Sequence, residues 1–245
     1  MIGFMRPKGV LFDFSGTLFR IEPVDAWLRA ALDARGTMVE RADFEDCVRR
    51  LTAAGALPGG PHPERIPPSL AAVWADRDRD ARLHREAYTG LAREAALPDA
   101  GLPDALYDRH MSPAAWQPYS DAAEVLRELR HRGVAVGVVS NIGWDLRPVF
   151  RAHGLDELVD VYVLSCEHGI QKPDPRLFRT ACTLLGCDPA DVVMVGDDRH
   201  ADGGATALGC EVRFVDPLPV AERPAGLRAL GLLERTGEGP GTHHA

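Results

Sequence analysis

Five short apolar runs punctuate the chain: GVLFDF (9–14), VAVGVVS (134–140), VDVYVLS (159–165), DVVMVGD (191–197) and CEVRFV (210–215). Their apolar positions are continuous rather than alternating, the pattern of parallel strands covered on both faces. Between them the spacing changes to that of helices. SDAAEVLRELRHRG (120–133) sets Ala123, Val125, Leu126 and Leu129 on one stripe and stops at Gly133. GWDLRPVFRAHG (143–154) and DPRLFRTACTLLG (174–186) follow, the latter again closing on glycine. Strand and helix in alternation predict an α/β fold, a doubly wound, Rossmann-like parallel sheet.

The stretch from Phe19 to Tyr119 breaks that rhythm. It contains no comparable strand run and reads as helices: VDAWLRAALDARG (24–36), RADFEDCVRRLTAAG (41–55) and SLAAVWADRDRDARLHREAYTGLAREAA (69–96). A Pro/Gly-rich break, LPGGPHPERIPP (57–68), separates the last two. The expected organisation is a core of residues 1–18 and 120–234, a helical cap of 19–119 inserted after the first strand, and a disordered tail from 235 to 245.

Composition narrows the function. The 245 residues are 45% hydrophobic, enough for one sizeable domain carrying an insertion. A net charge of -8 argues against binding nucleic acid, which calls for a basic footprint. No apolar run is long enough to span a membrane and the N-terminus lacks an extended apolar stretch, so the expectation is a cytoplasmic protein. Cys47, Cys166, Cys182, Cys187 and Cys210 form no C-x-x-C pair and read as small buried side chains in a reducing compartment. Lysine occurs only at Lys8 and Lys172, against a background of arginine.

Ligands in open α/β sheets sit outside the carboxyl ends of the strands. Three of the predicted strands end on polar residues: Asp13, Ser140-Asn141 and Asp197-Asp198, with Lys172 in the loop QKPDP before a helix. Singly, each is an ordinary turn or helix cap. Together they converge on a site.

The order D-x-S-G-T (13–17), S-N (140–141), K-P-D-P (172–175) and G-D-D-x-x-x-D (196–202) resembles the haloacid dehalogenase-like hydrolase superfamily, over about Val10 to Val215. The resemblance implies that Asp13 is a nucleophile forming an aspartyl-phosphate, as in the carboxylate strategy of phosphorylating ATPases. It implies a Mg²⁺ cofactor, held by Asp13, Asp197 and the Ser15 carbonyl, with Asp202 at the ion or its waters. Ser140 and the Asn141 amide would bind phosphoryl oxygens, Lys172 would offset the crowded negative charge, and Thr17 would orient the loop and leaving group. Asp198 is expected to bond nearby loop groups. The implied partner is a small phosphorylated metabolite.

Ser15 departs from the pattern. Phosphatases of this superfamily usually carry a second aspartate there, which protonates the leaving alcohol and then activates water. A serine hydroxyl cannot do this near neutral pH, and such assistance is worth roughly 10²–10⁴-fold. Glu22, Asp25 and His200 are candidate substitutes, each more simply read as a solvated surface residue. The dehalogenase branch places a tyrosine at this position and lacks the acidic pair, whereas phosphonatases require a cap lysine that residues 19–119 do not contain. Two readings stay open: a slow phosphatase, and an impaired relative that binds a phosphorylated metabolite or a protein.

Cap side chains would select the leaving group. Arg49, Arg50, Arg65, Arg77, Arg79, Arg82 and Arg85 could meet a second anion, but DRDRDARLHRE reads more simply as a salt-bridged solvated face. Trp27, Trp74, Tyr88, Tyr107 and Trp116 suit either a pocket or the helical core.

Overall fold

The computed structural model describes residues 7–232, and the tail expected from residue 235 lies outside them. Five strands form one sheet: β1 (Gly9–Phe12), β4 (Ala135–Ser140), β5 (Val161–Leu164), β6 (Val192–Gly196) and β7 (Glu211–Phe214). Their order is β5-β4-β1-β6-β7, and every pairing is parallel. The chain winds from β1 out to β4 and β5, then crosses back to β6 and β7 on the other side. The two windings diverge at the C-terminal end of β1, the place where such sheets open a crevice.

Successive side chains of a strand point to opposite faces, and the core follows that rule. Val10, Phe12, Val136, Val138, Val193 and Val195 pack on one face with Leu126 and Leu129 of α6 (Ala122–His131). Leu11, Val139, Val163 and Met194 pack on the other, against Leu177, Phe178 and Ala181 of α9 (Pro175–Leu185). Both faces are buried, which explains the continuous apolar runs. The shorter helices α7 (Arg147–Ala152) and α8 (Ser165–His168) complete the layers, and the latter begins on the serine that closes the third apolar run.

Residues between β1 and α6 are mainly helical: α1 (Val24–Arg35), α2 (Arg41–Ala54), α3 (Ala71–Ala75), α4 (Ala81–Glu94) and α5 (Leu102–Met111). A two-stranded antiparallel ribbon of β2 (Phe19–Ile21) and β3 (Trp116–Pro118) carries the chain out of the sheet and back, Phe19 opposite Pro118. These short strands, and α5, are absent from the pattern of the sequence. The single helix expected over 69–96 is broken: Asp80 adopts an extended conformation and caps α4 by accepting from the Arg82 and Leu83 amides. One hydrophobic cluster runs from the sheet face through Phe14 and Phe19 to Trp27, Leu51, Leu91 and Leu102, so the inserted helices share a core with the sheet. Among the described residues no helix is long and apolar enough to cross a membrane, and the five cysteines are free thiols.

Candidate active site

Asp13 directly follows β1, and its amide donates to the Val195 carbonyl of β6 at 2.9 Å. Asp197 directly follows β6, and Asp202 opens the next turn. Carboxylate oxygens of Asp13, Asp197 and Asp202 lie within 4.8 Å of one another. Lys172 is 4% exposed. Its Nζ donates to Asp13 Oδ1 at 2.8 Å and to Asp202 Oδ1 at 2.5 Å. Asn141 fixes the lysine by its backbone: its Oδ1 accepts from the Lys172 amide at 2.7 Å and its Nδ2 donates to the Lys172 carbonyl at 3.0 Å.

Three acids around one lysine leave an excess of negative charge in a poorly solvated place. Burial, together with Asp13 and Asp202, pushes the Asp197 carboxyl up to about 8. Burial also pushes Asp202 up to about 6, against the pull of Lys172 and with Asp13 adding to the rise. For Lys172 burial opposes the charge, but Asp13 and Asp202 outweigh it and hold the ammonium above the ordinary lysine value. Asp198 turns aside: its Oδ1 accepts from the His200 and Ala201 amides at 2.8 and 2.9 Å, and its own amide donates to Asp202 Oδ2. Those amides hold it below the usual carboxylate range despite burial.

The loop after Asp13 turns at Gly16, whose φ is +77° and where a Cβ would fall 2.3 Å from Asp197 Oδ2. Only glycine permits both the turn and that approach. Thr17 is fully buried with its hydroxyl 3.5 Å from Asp197 Oδ1. Arg223, which the sequence does not single out, clamps this loop from behind. Its Nη1 donates to the Gly16 carbonyl at 2.6 Å, its Nη2 donates to the Thr17 carbonyl, and its guanidinium lies over the Tyr119 ring.

A cavity of about 530 Å³ opens above this floor. Asp13, Ser15, Ser140, Asn141, Lys172 and Asp197 line it, whereas Thr17 and Asp202 sit beneath. Its roof comes from the inserted residues: the loop 55–63, Trp74, Arg77, Asp78, His84 and Tyr88. Arg77 lies 4.0 Å over the Trp74 ring and donates to the Trp74 carbonyl at 2.8 Å. His84 shares a 2.7 Å hydrogen bond with the Tyr107 hydroxyl, and burial holds its imidazole neutral, well below the ordinary value. Burial pushes Asp78 up, only partly countered by Arg77 and Lys172.

Roof and floor are stitched together. Ser165 Oγ donates to the Asp78 carbonyl and accepts from the Ile142 amide at 2.8 Å, next to Ser140-Asn141. Gln171 Nε2 donates to the Ala75 carbonyl at 2.8 Å, beside Lys172. At Gly143 a Cβ would fall 2.2 Å from His84 Cβ, so α4 rests directly on the β4 turn.

Of the arginines considered above, Arg49, Arg50, Arg79, Arg82 and Arg85 form ion pairs within the inserted helices, as a solvated face would. Arg77 and Asp78 are the exceptions, turned inward from the middle of the charged run. Trp27 and Tyr107 are buried, Trp27 bonding the Leu106 carbonyl, while Trp74, Tyr88 and the otherwise buried Trp116 line the cavity. None of the three candidate proton carriers lines it: Glu22 pairs with Arg109 at 2.6 Å, and Asp25 and His200 are exposed elsewhere.

Residues 7–207 match the haloacid dehalogenase-like hydrolase family. The chain is 36% identical over 139 residues to haloacid dehalogenase-like hydrolase domain-containing protein 3 of Mus musculus, spanning 54% of this chain and about half, 55%, of that relative. It is 34% identical over 230 residues to the phosphoserine phosphatase of Thermus thermophilus, covering 85% and 88% of the two chains. Among solved structures, the L-2-haloacid dehalogenase of Xanthobacter autotrophicus superposes with a TM-score of 0.61 at 25% identity, over 95% of this chain and 90% of that one. With its parallel sheet, the crevice at the end of β1 and a family match over residues 7–207, the chain belongs to the haloacid dehalogenase-like hydrolase family.

Proposed function

We propose that this chain is a Mg²⁺-dependent hydrolase of a small phosphate ester that works through an aspartyl-phosphate on Asp13, with Ser15 in place of the usual second aspartate. Residues 19–119 act as its cap and the flanking segments as its core. The observation that carries the proposal is the cluster of Asp13, Asp197 and Asp202 clamped by one buried lysine at the mouth of the sheet.

The residues suit Mg²⁺. They offer only hard oxygen donors, and Asp197, lifted to about 8, marks negative charge that the single lysine leaves uncompensated. Asp13, Asp197 and the Ser15 carbonyl would hold the ion, with Asp202 supporting them. When bound, it neutralises phosphoryl charge as a Lewis acid.

The side chains divide the remaining work. Asp13 Oδ2, the oxygen that Lys172 does not bind, is free to attack phosphorus. Lys172 holds the nucleophile in place, and Asn141 holds Lys172. The Ser140 hydroxyl and the Asn141 amide donate to phosphoryl oxygens. Thr17 and Arg223 keep the attacking loop in register. Relatives named for phosphoserine and for ribulose 1,5-bisphosphate suggest a small, polar phosphomonoester as the substrate. Carbon–halogen cleavage fits less well, because Ser15 replaces the tyrosine expected there and the acidic cluster suits a metal-bound phosphate. The absence of a carboxylate at Ser15 favours one competing reading, a relative that binds a phosphorylated molecule without turning it over.

Phosphate and halide release from panels of phosphate esters and 2-haloacids, with and without Mg²⁺, separates these readings. Metal-dependent phosphate release that Asp13→Asn lowers by more than about 10⁴-fold is expected. Halide release, or no turnover of any ester beside tight phosphate binding, would contradict the proposal.

A further inference from the structure

Asp78 is a buried carboxyl with one long ion pair and no hydrogen bond among the described residues. It is 5% exposed, yet it lines the cavity that holds Asp13, Ser15, Ser140 and Lys172. Arg77 Nη2 lies 3.5 Å from one of its oxygens and His84 Nε2 3.9 Å from the other. A buried carboxyl is ordinarily hydrogen-bonded, so one left open toward a cavity invites a functional reading. Its main chain, by contrast, is fixed: the Asp78 carbonyl is bound by Ser165, which also binds the loop following Ser140-Asn141. The Asp78 backbone is therefore tied to the turn after Ser140-Asn141, and its side chain lines the cavity shared with that turn.

The other acids lining the cavity are committed. Asp13 binds Lys172, Asp197 belongs to the triple cluster, and Asp198 is tied to two backbone amides. We propose, on the reading that the chain is a phosphatase, that Asp78 supplies the proton transfer that Ser15 cannot, from the roof rather than from the loop of the nucleophile.

In the first step an Asp13 oxygen forms a bond to phosphorus and the bond from phosphorus to the leaving oxygen breaks. The departing electron pair takes the Asp78 proton, releasing the alcohol and leaving an Asp78 carboxylate. In the second step that carboxylate takes a proton from water as the water oxygen bonds to phosphorus. The phosphorus–Asp13 bond breaks, phosphate leaves, and Asp13 ionised and Asp78 protonated are restored. The charged and titratable groups that act on Asp78 are Arg77, Lys172, Asp13, Tyr88 and Cys166, with His84 Nε2 3.9 Å away. Burial outweighs the cations among them and favours the protonated form that the first step consumes.

A leaving group that departs as a stable anion needs no acid, so the test compares alkyl with nitrophenyl phosphates in Asp78→Asn. The expected result is a fall in kcat/KM of about 10²-fold or more for alkyl esters and only a few-fold for the nitrophenyl ester. The nitrophenyl ester should also show a burst of nitrophenol followed by slow phosphate release, because the second step has lost its base. Thermal melting checks that the variant folds, and if it does not, Asp78→Glu takes its place, with the wild-type preference between the esters expected to persist. Equal loss on both esters, unchanged alkyl turnover, or loss of that preference in folded Asp78→Glu would overturn the assignment. Asp13→Asn run alongside distinguishes this from failure of the phosphatase reading, which turnover surviving that substitution would show.

Discussion

On the floor of the cavity, charge is held by charge. Lys172 binds Asp13 and Asp202, Asn141 binds the backbone of Lys172, and Arg223 binds the loop after Asp13. In the inserted helices buried polar groups are kept uncharged instead. His84 and His110 are buried neutral, Asp78 is pushed toward its acid form, and pairs such as Arg82–Glu86 lie on the outer surface. The contrast teaches that the two walls respond to opposite insults. The floor suffers when a charge is removed, and the helices above suffer when one is added.

The largest effect on folding should follow removal of the lysine that binds the acids of the floor. Lys172→Met strands buried carboxylates without a partner, and denaturant titration should show a loss of about 3–5 kcal/mol. A loss below about 1 kcal/mol would mean that the floor is solvated rather than held by charge.

Adding charge to the helices is done with acid. Burial lowers His110 from 6.5 to about 3 and His84 in the same direction, so the unfolded chain binds more protons between those values. Their contribution is complete above pH 6.5 and is lost as pH falls toward 3. Linkage puts the loss between pH 7 and pH 5 at about 2 kcal/mol for His110 alone. Urea unfolding at both pH values measures it, and His110→Gln should flatten the dependence. An unchanged slope in that variant would place the imidazole in water.

The smallest effect belongs to the outer face. Arg82 and Glu86 pair at 2.9 Å with both side chains well exposed. Arg82→Ala should cost no more than about 0.5 kcal/mol by the same titration. A cost several times larger would extend the electrostatic character of the floor to the surface of the helices.

The same contrast explains what the sequence could reveal. Floor residues lie at strand ends, and strands buried on both faces announce themselves as apolar runs, so Asp13, Ser140, Asn141 and Asp197 could be placed by counting. Lys172 stood out because the chain holds one other lysine. The roof gave no such signal. Arg77 and Asp78 sit within alternating charges, a pattern that ordinarily means solvent, and only contacts from Ser165 and Gln171 turn that segment inward. Asp80 could have been read as a helix cap, since its side chain accepts two amides, but the periodicity on either side concealed the break. Arg223 acts across 206 residues of sequence on Thr17, a separation that no local pattern encodes.

The most direct test of the account is to quench the protein during turnover of a phosphate ester and locate any phosphoryl group by mass spectrometry of its peptides. The account predicts a phosphorylated peptide with the added group on Asp13, absent from Asp13→Asn. Sustained phosphate release with no group trapped on Asp13, and release that persists in Asp13→Asn, would contradict it.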